Sequence, residues 1–242
     1  MKIDQDNTYL FLKGNKNKLI FNPPDDVVEN DFTLLMRFKP DEKNWLEKIK
    51  ETDFYTQGLF SKNGKHIGLF FTAGKDETNQ PLLKVSFEWW KKTKDPEVDE
   101  VTSVDVFPSI DETKKGFDVA VIKNKNKVEL IVNGKSKIKE ITDVIDYSYS
   151  YTWIGCANRL YPEFQHIYNG EINLMHLQEG VLDNQNIDLF FNNYSDFVEK
   201  ISLNTKNIIM FTSDFSEVSP YKVKDHSYNN NHIIKYSNIW LN

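Results

Sequence analysis

Aromatic and polar side chains crowd the loop of the sequence that follows Asn158. Sugar rings present apolar faces that pack on aromatic planes, while polar side chains fix the orientation of the sugar. Trp90 offers one more ring, on the opposite strand face from Trp89 and beside two lysines. These residue types favour recognition of carbohydrate. The predicted ligand contacts are Trp90, Arg159, Tyr161, Phe164, His166 and Tyr168.

The same aromatic residues have a second interpretation, in which their rings cover the flank of the fold or contact a neighbouring subunit. The sequence leaves these two interpretations open. A homo-oligomer is therefore kept beside glycan among the expected partners.

Oxygen-rich loops offer a calcium site as an alternative, because hard cations need several oxygen ligands. The two clusters that would supply them are Asp25, Asp26 and Asp31, and Asp225, Ser227, Asn229 and Asn231. Such side chains in loops usually bond to their own backbone. The five histidines show no paired metal-ligand spacing, and the chain has no glycine-rich phosphate loop. We predict no metal and no cofactor, and keep Asp225, Asn229 and Asn231 as the calcium alternative.

Composition restricts the class of protein. The 242 residues are 39% hydrophobic and 14% aromatic, which suits one large all-β domain or two small ones. The formal net charge of -6 is spread along the chain, so nucleic acid is not an expected partner. No apolar run is long enough to span a bilayer, and the N-terminus lacks the pattern of a secretory signal. The single cysteine, Cys156, excludes an internal disulfide and is predicted to be a small buried residue.

Two short apolar strands, Thr152 to Cys156 and Glu171 to Leu177, are predicted on either side of the aromatic loop. Gly155 and Gly170 lie where the backbone must bend or pack closely. We interpret this stretch as the inner edge of a β-sandwich.

Alternating apolar residues predict strands along most of the remaining chain. Tyr9 to Leu12 and Leu19 to Phe21 flank a polar turn, which predicts a hairpin. Residues 32 to 40 and 82 to 90 alternate cleanly and predict two long strands. Further hairpins are predicted over residues 58 to 73, around Asn63-Gly64, and over residues 117 to 133, around the turn KNKN. Asn133-Gly134 predicts a second turn, into a strand over residues 135 to 140.

Two segments change to helical spacing. Residues 41 to 56 carry Trp45, Leu46, Ile49 and Phe54 at near-helical intervals, which predicts a short helix over the sandwich. Residues 184 to 201 predict one amphipathic helix with Asp183 as its N-cap. The chain then returns to strands, predicted over residues 207 to 215 and 232 to 240.

The order of these elements resembles a known family over roughly residues 9 to 195. The segments YLFLKGNKNKLIF, FTLLMRFKP, GLFSKNGKHIGLFF, FDVAVIKNKNKVELIVNGK, WIGCAN and YNGEINLMHLQEGVLDNQNI look like successive strands of the laminin-G-like, concanavalin A-like jelly roll. Residues 207 to 236 resemble the strand and turn with which such domains usually begin. The resemblance implies an all-β antiparallel sandwich with one short helix in its C-terminal half, closed as a single domain over residues 1 to 242.

Some relatives of this fold are glucanases of the laminarinase type, and their catalytic strand resembles the segment GEINLMH. The resemblance places Glu171 at the nucleophile, but Asn173 replaces the partner aspartate and His176 stands where the acid/base glutamate is expected. A retaining mechanism needs two carboxyl groups about 5 to 5.5 Å apart. We therefore predict a protein that is not an enzyme, with a diverged glycosidase as the remote alternative.

The family usually works outside cells, whereas this sequence has no recognisable secretory signal. A virus particle would explain an extracellular role without a secretory signal, since lysis releases proteins that were never secreted. The first hypothesis is a non-catalytic virion component, such as a phage capsid decoration, head-fibre or tail protein, that contacts other virion proteins and host-surface glycan. The alternative is a free or cell-surface lectin-like module.

Overall fold

A computed structural model describes residues 10–12, 18–21, 30–62, 67–91, 100–142, 152–155, 157–160, 163–201, 207–212, 222–223 and 233–236. Its strands in chain order are β1 (Leu10–Leu12), β2 (Lys18–Phe21), β3 (Phe32–Pro40), β4 (Phe54–Lys62), β5 (Ile67–Lys75), β6 (Pro81–Lys91), β7 (Glu100–Val106), β8 (Phe117–Asn124), β9 (Lys127–Val132), β10 (Lys135–Glu140), β11 (Thr152–Ile154), β12 (Ala157–Leu160), β13 (Glu163–Gln165), β14 (Gly170–Glu179), β15 (Asn207–Thr212), β16 (Lys222–Val223) and β17 (Ile233–Tyr236). The helices are α1 (Glu42–Glu51), α2 (Asn184–Asn192) and α3 (Tyr194–Ile201), with a 3₁₀ helix at Ile110–Lys114. Within this part of the chain, no helix has the length and apolar character needed to cross a membrane.

The described strands form two antiparallel sheets and a separate two-stranded ribbon. Sheet 1 has the order β1-β14-β3-β8-β9-β10, and β15 also pairs with β14. Sheet 2 has the order β16-β17-β2-β11-β4-β5-β6-β7, and the ribbon is β12-β13. The prediction of an all-β antiparallel sandwich is confirmed.

The main core lies between the two sheets. Alternate residues of β3, from Phe32 to Phe38, point into it, as do alternate residues of β6, from Leu83 to Trp89. This period of two is the pattern that a half-buried strand imposes on its sequence. The turn between β9 and β10 confirms the Asn-Gly prediction, because Asn133 and Gly134 both have the positive φ that a type I′ turn needs.

The predicted hairpin near the N-terminus is wrong. β1 pairs with β14 in sheet 1, with Leu10 opposite Ile172, whereas β2 pairs with β11 and β17 in sheet 2. The two strands are near neighbours in the sequence but belong to opposite layers. An alternating pattern identifies a strand without specifying its partner.

The strands on either side of the aromatic loop do not form an inner edge. β11 lies between β2 and β4 inside sheet 2, and β14 lies inside sheet 1 between β3 and the pair β1 and β15. The aromatic loop therefore connects the interiors of opposite sheets.

The single helix predicted over residues 184 to 201 is wrong, because the structure has two helices that break at Asn193. Asp183 caps α2 as predicted, accepting from the Asn186 backbone N–H at 2.8 Å. Asn193 then leaves helical geometry, with φ -146° and ψ 78°, and its side-chain oxygen accepts from the backbone N–H of Asp196 in α3 at 3.4 Å. The helix predicted over residues 41 to 56 ends earlier, at Glu51, because Phe54 begins β4.

Glu112 ties the 3₁₀ helix to the turn between β9 and β10. Its carboxylate accepts from the backbone N–H of Ser109 at 2.6 Å, from Lys135 Nζ at 2.8 Å and from Asn133 Nδ2 at 3.2 Å. Partial burial acts to raise the pKa of Glu112, but the hydrogen bonds from Lys135, Ser109 and Asn133 outweigh it and lower the pKa to about 2.

We expect Glu112→Gln to lower the free energy of unfolding at neutral pH by about 1 kcal/mol, a value discounted for the solvent that reaches this site. The folded pKa is lower than the ordinary 4.5, so the contribution is complete above pH 4.5 and is lost as the pH falls toward 2. Urea unfolding across that range measures both effects. Asp111→Asn, which changes an exposed carboxylate in the same helix, is the control and should change neither. Equal losses in the two variants would contradict the role of the network.

Candidate functional site

The two helices α2 and α3 cover the outer side of sheet 1. Their buried side chains, Ile187, Phe190, Phe197 and Ile201, pack with Leu35, Ala120, Ile122 and Leu174 of the sheet in a second apolar cluster. The helix α1 contacts β4 and β5 of sheet 2, and its buried residues, Trp45 and Ile49, belong to the main core rather than to the outer side of that sheet. The outer side of sheet 2 is therefore the sheet face on which we look for a binding site.

Arg37 fastens the start of α3 to sheet 1. Its guanidinium makes a bidentate pair with Asp118, with Nε–Oδ1 at 2.5 Å and Nη2–Oδ2 at 2.8 Å, and lies 4.4 Å from the centre of the Tyr194 ring. Burial opposes the charge on Arg37, but the hydrogen bonds to Asp118 prevail and raise the arginine pKa. Burial also raises the pKa of Tyr194 well above its usual value. These contacts hold the helix layer in place, and we assign them a structural role.

His176 lies beneath the same helices, which bears on the diverged-glycosidase alternative. The residue is fully buried, its ring meets Phe197 edge-on at 5.9 Å, and its Nε2 lies 3.2 Å from Gln178 Oε1. Burial lowers the pKa of His176 to about 4. A buried, neutral histidine cannot reach a substrate. His176 is therefore not the proton donor that a diverged glycosidase would need.

The outer face of sheet 2 is defined by the residues that alternate with its core-facing ones. Its members on adjacent strands are Phe54 and Thr56 of β4, Phe70, Thr72 and Gly74 of β5, Leu82, Lys84, Ser86, Glu88 and Trp90 of β6, and Val101, Ser103 and Asp105 of β7. Phe107 follows β7 directly and continues its outward alternation after the buried Val106.

One end of this outer face is an open apolar shelf. Phe54, Gly74 and Leu82 stand directly opposite one another on three neighbouring strands, and Phe54 is 68% exposed. Gly74 is buried, and a Cβ at this position would lie 3.5 Å from Phe54 Cβ and 3.2 Å from the carbonyl oxygen of Asp53. The exposed surface at this end is therefore made by Phe54 and Leu82 rather than by Gly74.

Polar side chains form the next row of the outer face. The hydroxyls of Thr56 and Thr72 lie 3.1 Å apart across β4 and β5, and Lys84 follows on β6. His166 lies beside this row, with Nδ1 3.2 Å from the carbonyl oxygen of Thr56. Donors and acceptors are thus placed alongside the apolar shelf.

Farther along, β6 and β7 carry two hydroxyl–carboxylate pairs. Ser86 Oγ donates to Glu88 Oε1 at 3.1 Å, and Ser103 Oγ donates to Asp105 Oδ2 at 3.1 Å. Ser86 stands opposite Asp105, and Glu88 stands opposite Ser103. The half-buried carboxylate of Glu88 is an acceptor of the kind that sugar hydroxyls need, whereas Oδ1 of Asp105 is buried away from solvent. Among the described residues, no group of three or more His, Cys, Asp or Glu side chains is placed to hold a metal ion.

The structure brings two of the predicted contacts to this face. His166 lies at its centre, where the ring meets Phe70 edge-on at 6.4 Å, and Trp90 lies on β6 toward the far end. The predicted alternation is correct, since Trp89 enters the core and Trp90 faces outward. The Trp90 ring is only 9% exposed, however, so it does not form the open platform that was expected.

The prediction that Tyr168 contacts a ligand is wrong, because this residue lies in the core. The residue is fully buried, and its ring meets Phe38 edge-on at 6.0 Å. The Tyr168 backbone N–H donates to the carbonyl of Gly155 at 2.8 Å, which draws this part of the loop between the sheets. Burial raises the pKa of its hydroxyl well above the usual value.

The remaining predicted positions are only partly described. Arg159 lies on β12 and Phe164 on β13, where the structure describes the backbone of the ribbon. Tyr161 and the calcium alternatives Asp225, Asn229 and Asn231 lie outside the described residues, as do Cys156 and the Asn63-Gly64 turn. Asp31 is described, and its Oδ1 accepts from the backbone N–H of Lys125 at 2.5 Å.

The sequence interpretation missed Phe54, Thr56, Thr72 and Asp105. Its near-helical spacing groups Phe54 with the apolar residues of the preceding helix. Thr56 and Thr72 can be recognised as a pair only when the register of β4 and β5 is known, because that register places them opposite each other.

No protein-family model matches the chain, and no curated protein matches it. Among solved structures, the mouse laminin alpha1 chain, domains LG4-5, aligns with a TM-score of 0.46 at 16% identity, over 71% of this chain and 40% of that chain. The alginate lyase from Alteromonas sp. 272 aligns with a TM-score of 0.25 at 9% identity, over 59% of this chain and 53% of that chain. The polysaccharide lyase family 18 protein aly-SJ02 aligns with a TM-score of 0.26 at 12% identity, over 96% of this chain and 90% of that chain. This chain therefore spans about half or less of the length of the laminin chain and of the Alteromonas alginate lyase.

Proposed function

We propose that this protein is a non-catalytic carbohydrate-binding module whose ligand lies on the outer face of sheet 2. The observation that carries the proposal is the exposed Phe54 ring beside Gly74, next to the paired hydroxyls of Thr56 and Thr72. An apolar plane flanked by donors and acceptors is the arrangement that a sugar ring needs.

The distribution of exposed apolar side chains supports the same face. Seven large hydrophobic residues are exposed within the described part of the chain, and four of them, Phe54, Leu82, Val101 and Phe107, lie on this face or directly beside it. Scattered apolar residues on a protein surface need no explanation, whereas a concentration on one face indicates a contact site.

The proposal of a protein without catalytic activity is supported by the position of His176. Its side chain is sealed under α3, on the outer side of sheet 1, and so lies on the opposite sheet from the proposed ligand. A carboxylate at Glu171 would have no acid/base partner from this strand.

We expect Phe54→Ser to weaken binding of a recognised glycan by about tenfold, which corresponds to about 1.4 kcal/mol. The change removes the stacking plane but no buried contact, so the free energy of unfolding should change by less than about 0.5 kcal/mol. A glycan array identifies the ligand, and calorimetric titration of the purified variants with that ligand gives the affinities.

Ile138→Ser is the matched control, because Ile138 is similarly exposed but lies on β10 at the edge of sheet 1. Its affinity for the glycan should equal that of the parent protein. If Phe54→Ser binds as tightly as Ile138→Ser, the proposed face is wrong.

Calcium, the virion setting and the oligomeric state stay predictions from the sequence, and the same array addresses them. Loss of glycan binding in chelator would place calcium at the site. A silent array together with a discrete oligomer in light scattering would favour the role of a structural virion component, with the exposed apolar face as a subunit contact.

A further inference from the structure

The open surface of the proposed face is confined to the end that carries Phe54. Toward the centre of the face, Ser86 is fully buried, and Phe70, which meets the His166 ring edge-on, is only 4% exposed. Trp90, farther along β6, is 9% exposed. A ligand that contacts Phe54 therefore has no open surface to follow along β6, and a ligand larger than one sugar must run across the strands.

Three exposed apolar side chains lie in that direction. Phe54 on β4 is 68% exposed, Leu82 on β6 is 41% exposed, and Phe107, which follows β7, is 54% exposed. Leu82 stands in the same row as Phe54. Phe107 belongs to the next row along β6, because Val106 just before it stands opposite Val85. The exposed apolar side chains thus follow a line that crosses from β4 to the end of β7.

The two aromatic side chains on this line are well separated. At about 4.8 Å between neighbouring strands and about 3.3 Å per residue along them, Phe54 and Phe107 lie roughly 15 Å apart, with Leu82 between them. The paired hydroxyls of Thr56 and Thr72 lie beside the line. One sugar ring cannot touch both aromatic rings at this separation. A chain of sugars, which presents a ring face repeatedly along its length, can do so.

We infer that the ligand is an oligosaccharide or polysaccharide that crosses the strands from β4 to β7, with one sugar stacked on Phe54 and another on Phe107. This inference rests on the proposed function and specifies the size and direction of its ligand. The two contacts reinforce each other, because binding at one ring holds the rest of the same chain near the other ring at high effective concentration. A sugar bound alone would gain nothing from the second ring.

The first measurement is affinity against chain length, by calorimetric titration. The probes are size-fractionated oligosaccharides, from the monosaccharide upward, prepared from the polysaccharide that gives the strongest signal on a glycan array. We expect affinity to rise by about tenfold or more up to the length that reaches both rings, and then to level off. Equal affinity at every length would overturn the inference.

Surface variants then test the two contacts separately. Phe54→Ser and Phe107→Ser are each expected to weaken binding of the long chain about tenfold, whereas the shortest binder, which reaches one ring, should respond to only one of them. Val101→Ser is the matched control, because Val101 is 42% exposed on the same sheet but stands opposite Trp90, at the other end of β7 from Phe107. Urea unfolding of each variant confirms that it folds.

The outcomes distinguish this inference from the proposed function. If Phe54→Ser weakens binding of the long chain and Phe107→Ser binds it as tightly as the control, the crossing path is refuted while the proposed function stands. If Val101→Ser weakens binding as much as Phe107→Ser, the contact is not confined to the Phe54 end and the inference fails. If Phe54→Ser binds the long chain as tightly as the parent protein, or the array shows no signal, both proposals fail.

Discussion

Replacing Gly170 by alanine is expected to lower the free energy of unfolding by about 3 to 4 kcal/mol. Gly170 begins β14 with φ +153°, a conformation that side-chain-bearing residues rarely adopt. A methyl group there would lie 2.3 Å from the carbonyl oxygen of Lys39 and 2.5 Å from the hydroxyl of Tyr168. Both the backbone and its packed surroundings would have to move. Urea unfolding of the variant and the parent protein measures the difference.

Gly134→Ala is the control that separates backbone strain from crowding. Gly134 also has a positive φ, of +81°, but nothing lies within 4 Å of the position that a methyl group would take. We expect it to cost about 1 kcal/mol, from the left-handed conformation alone. Similar losses in the two alanine variants would show that close packing at the start of β14 contributes nothing.

Acidification from pH 6.5 to pH 4 is expected to remove about 3 kcal/mol of stability through His176 alone. Burial holds the folded pKa of this histidine at about 4, below its ordinary 6.5, because a charged ring beneath α3 would lose its hydration. The unfolded chain therefore binds a proton between these pH values and the folded chain does not. The stability is complete above pH 6.5 and falls as the pH drops toward 4.

His176→Gln should flatten this part of the profile of unfolding free energy against pH, whatever its effect at pH 7. His166→Gln, at a half-buried position beside β4, is the comparison variant for the loss of a histidine elsewhere in the fold. A parent profile without slope between pH 4 and 6.5, or an unchanged slope in His176→Gln, would show that the histidine titrates normally.

The strands of this fold are predictable from sequence to the extent that each carries its own signal. The alternation in β3 and β6 identifies which residues enter the core, since one face of each strand is buried by the opposite sheet. The partners of short strands are not predictable in this way. The pattern of β1 is the same whether it pairs with β2 a few residues away or with β14, where Leu10 meets Ile172.

The helix break at Asn193 escaped prediction for a related reason. Phe190 before the break and Phe197 after it pack into the same apolar cluster, so the hydrophobic spacing continues across both helices. Only the capping contact of Asn193 with Asp196 marks the start of a new helix.

The candidate site was predictable only in part, because exposure of an aromatic ring depends on tertiary packing. Tyr168 and His166 belong to the same polar loop, yet one lies in the core and the other beside β4. Phe54 is an apolar residue close to a helix in the sequence, which favours a buried position. It is exposed because it is the first residue of β4 and its side chain points to the outer face of sheet 2. Residue type indicated the chemistry, while the pairing of β4, β5 and β6 determines where that chemistry is located.

The pairing of β3 with the distant strand β14 affects how the protein folds during synthesis. β3 can pair with β8 once residues up to 124 have emerged from the ribosome, but its other edge must wait for β14, more than 130 residues after β3 begins. Pairings between such distant segments are slow, because a long loop must close before any contact forms. A partly made chain therefore presents the open edge of an apolar strand, the kind of edge on which other chains can pair before the sandwich is complete.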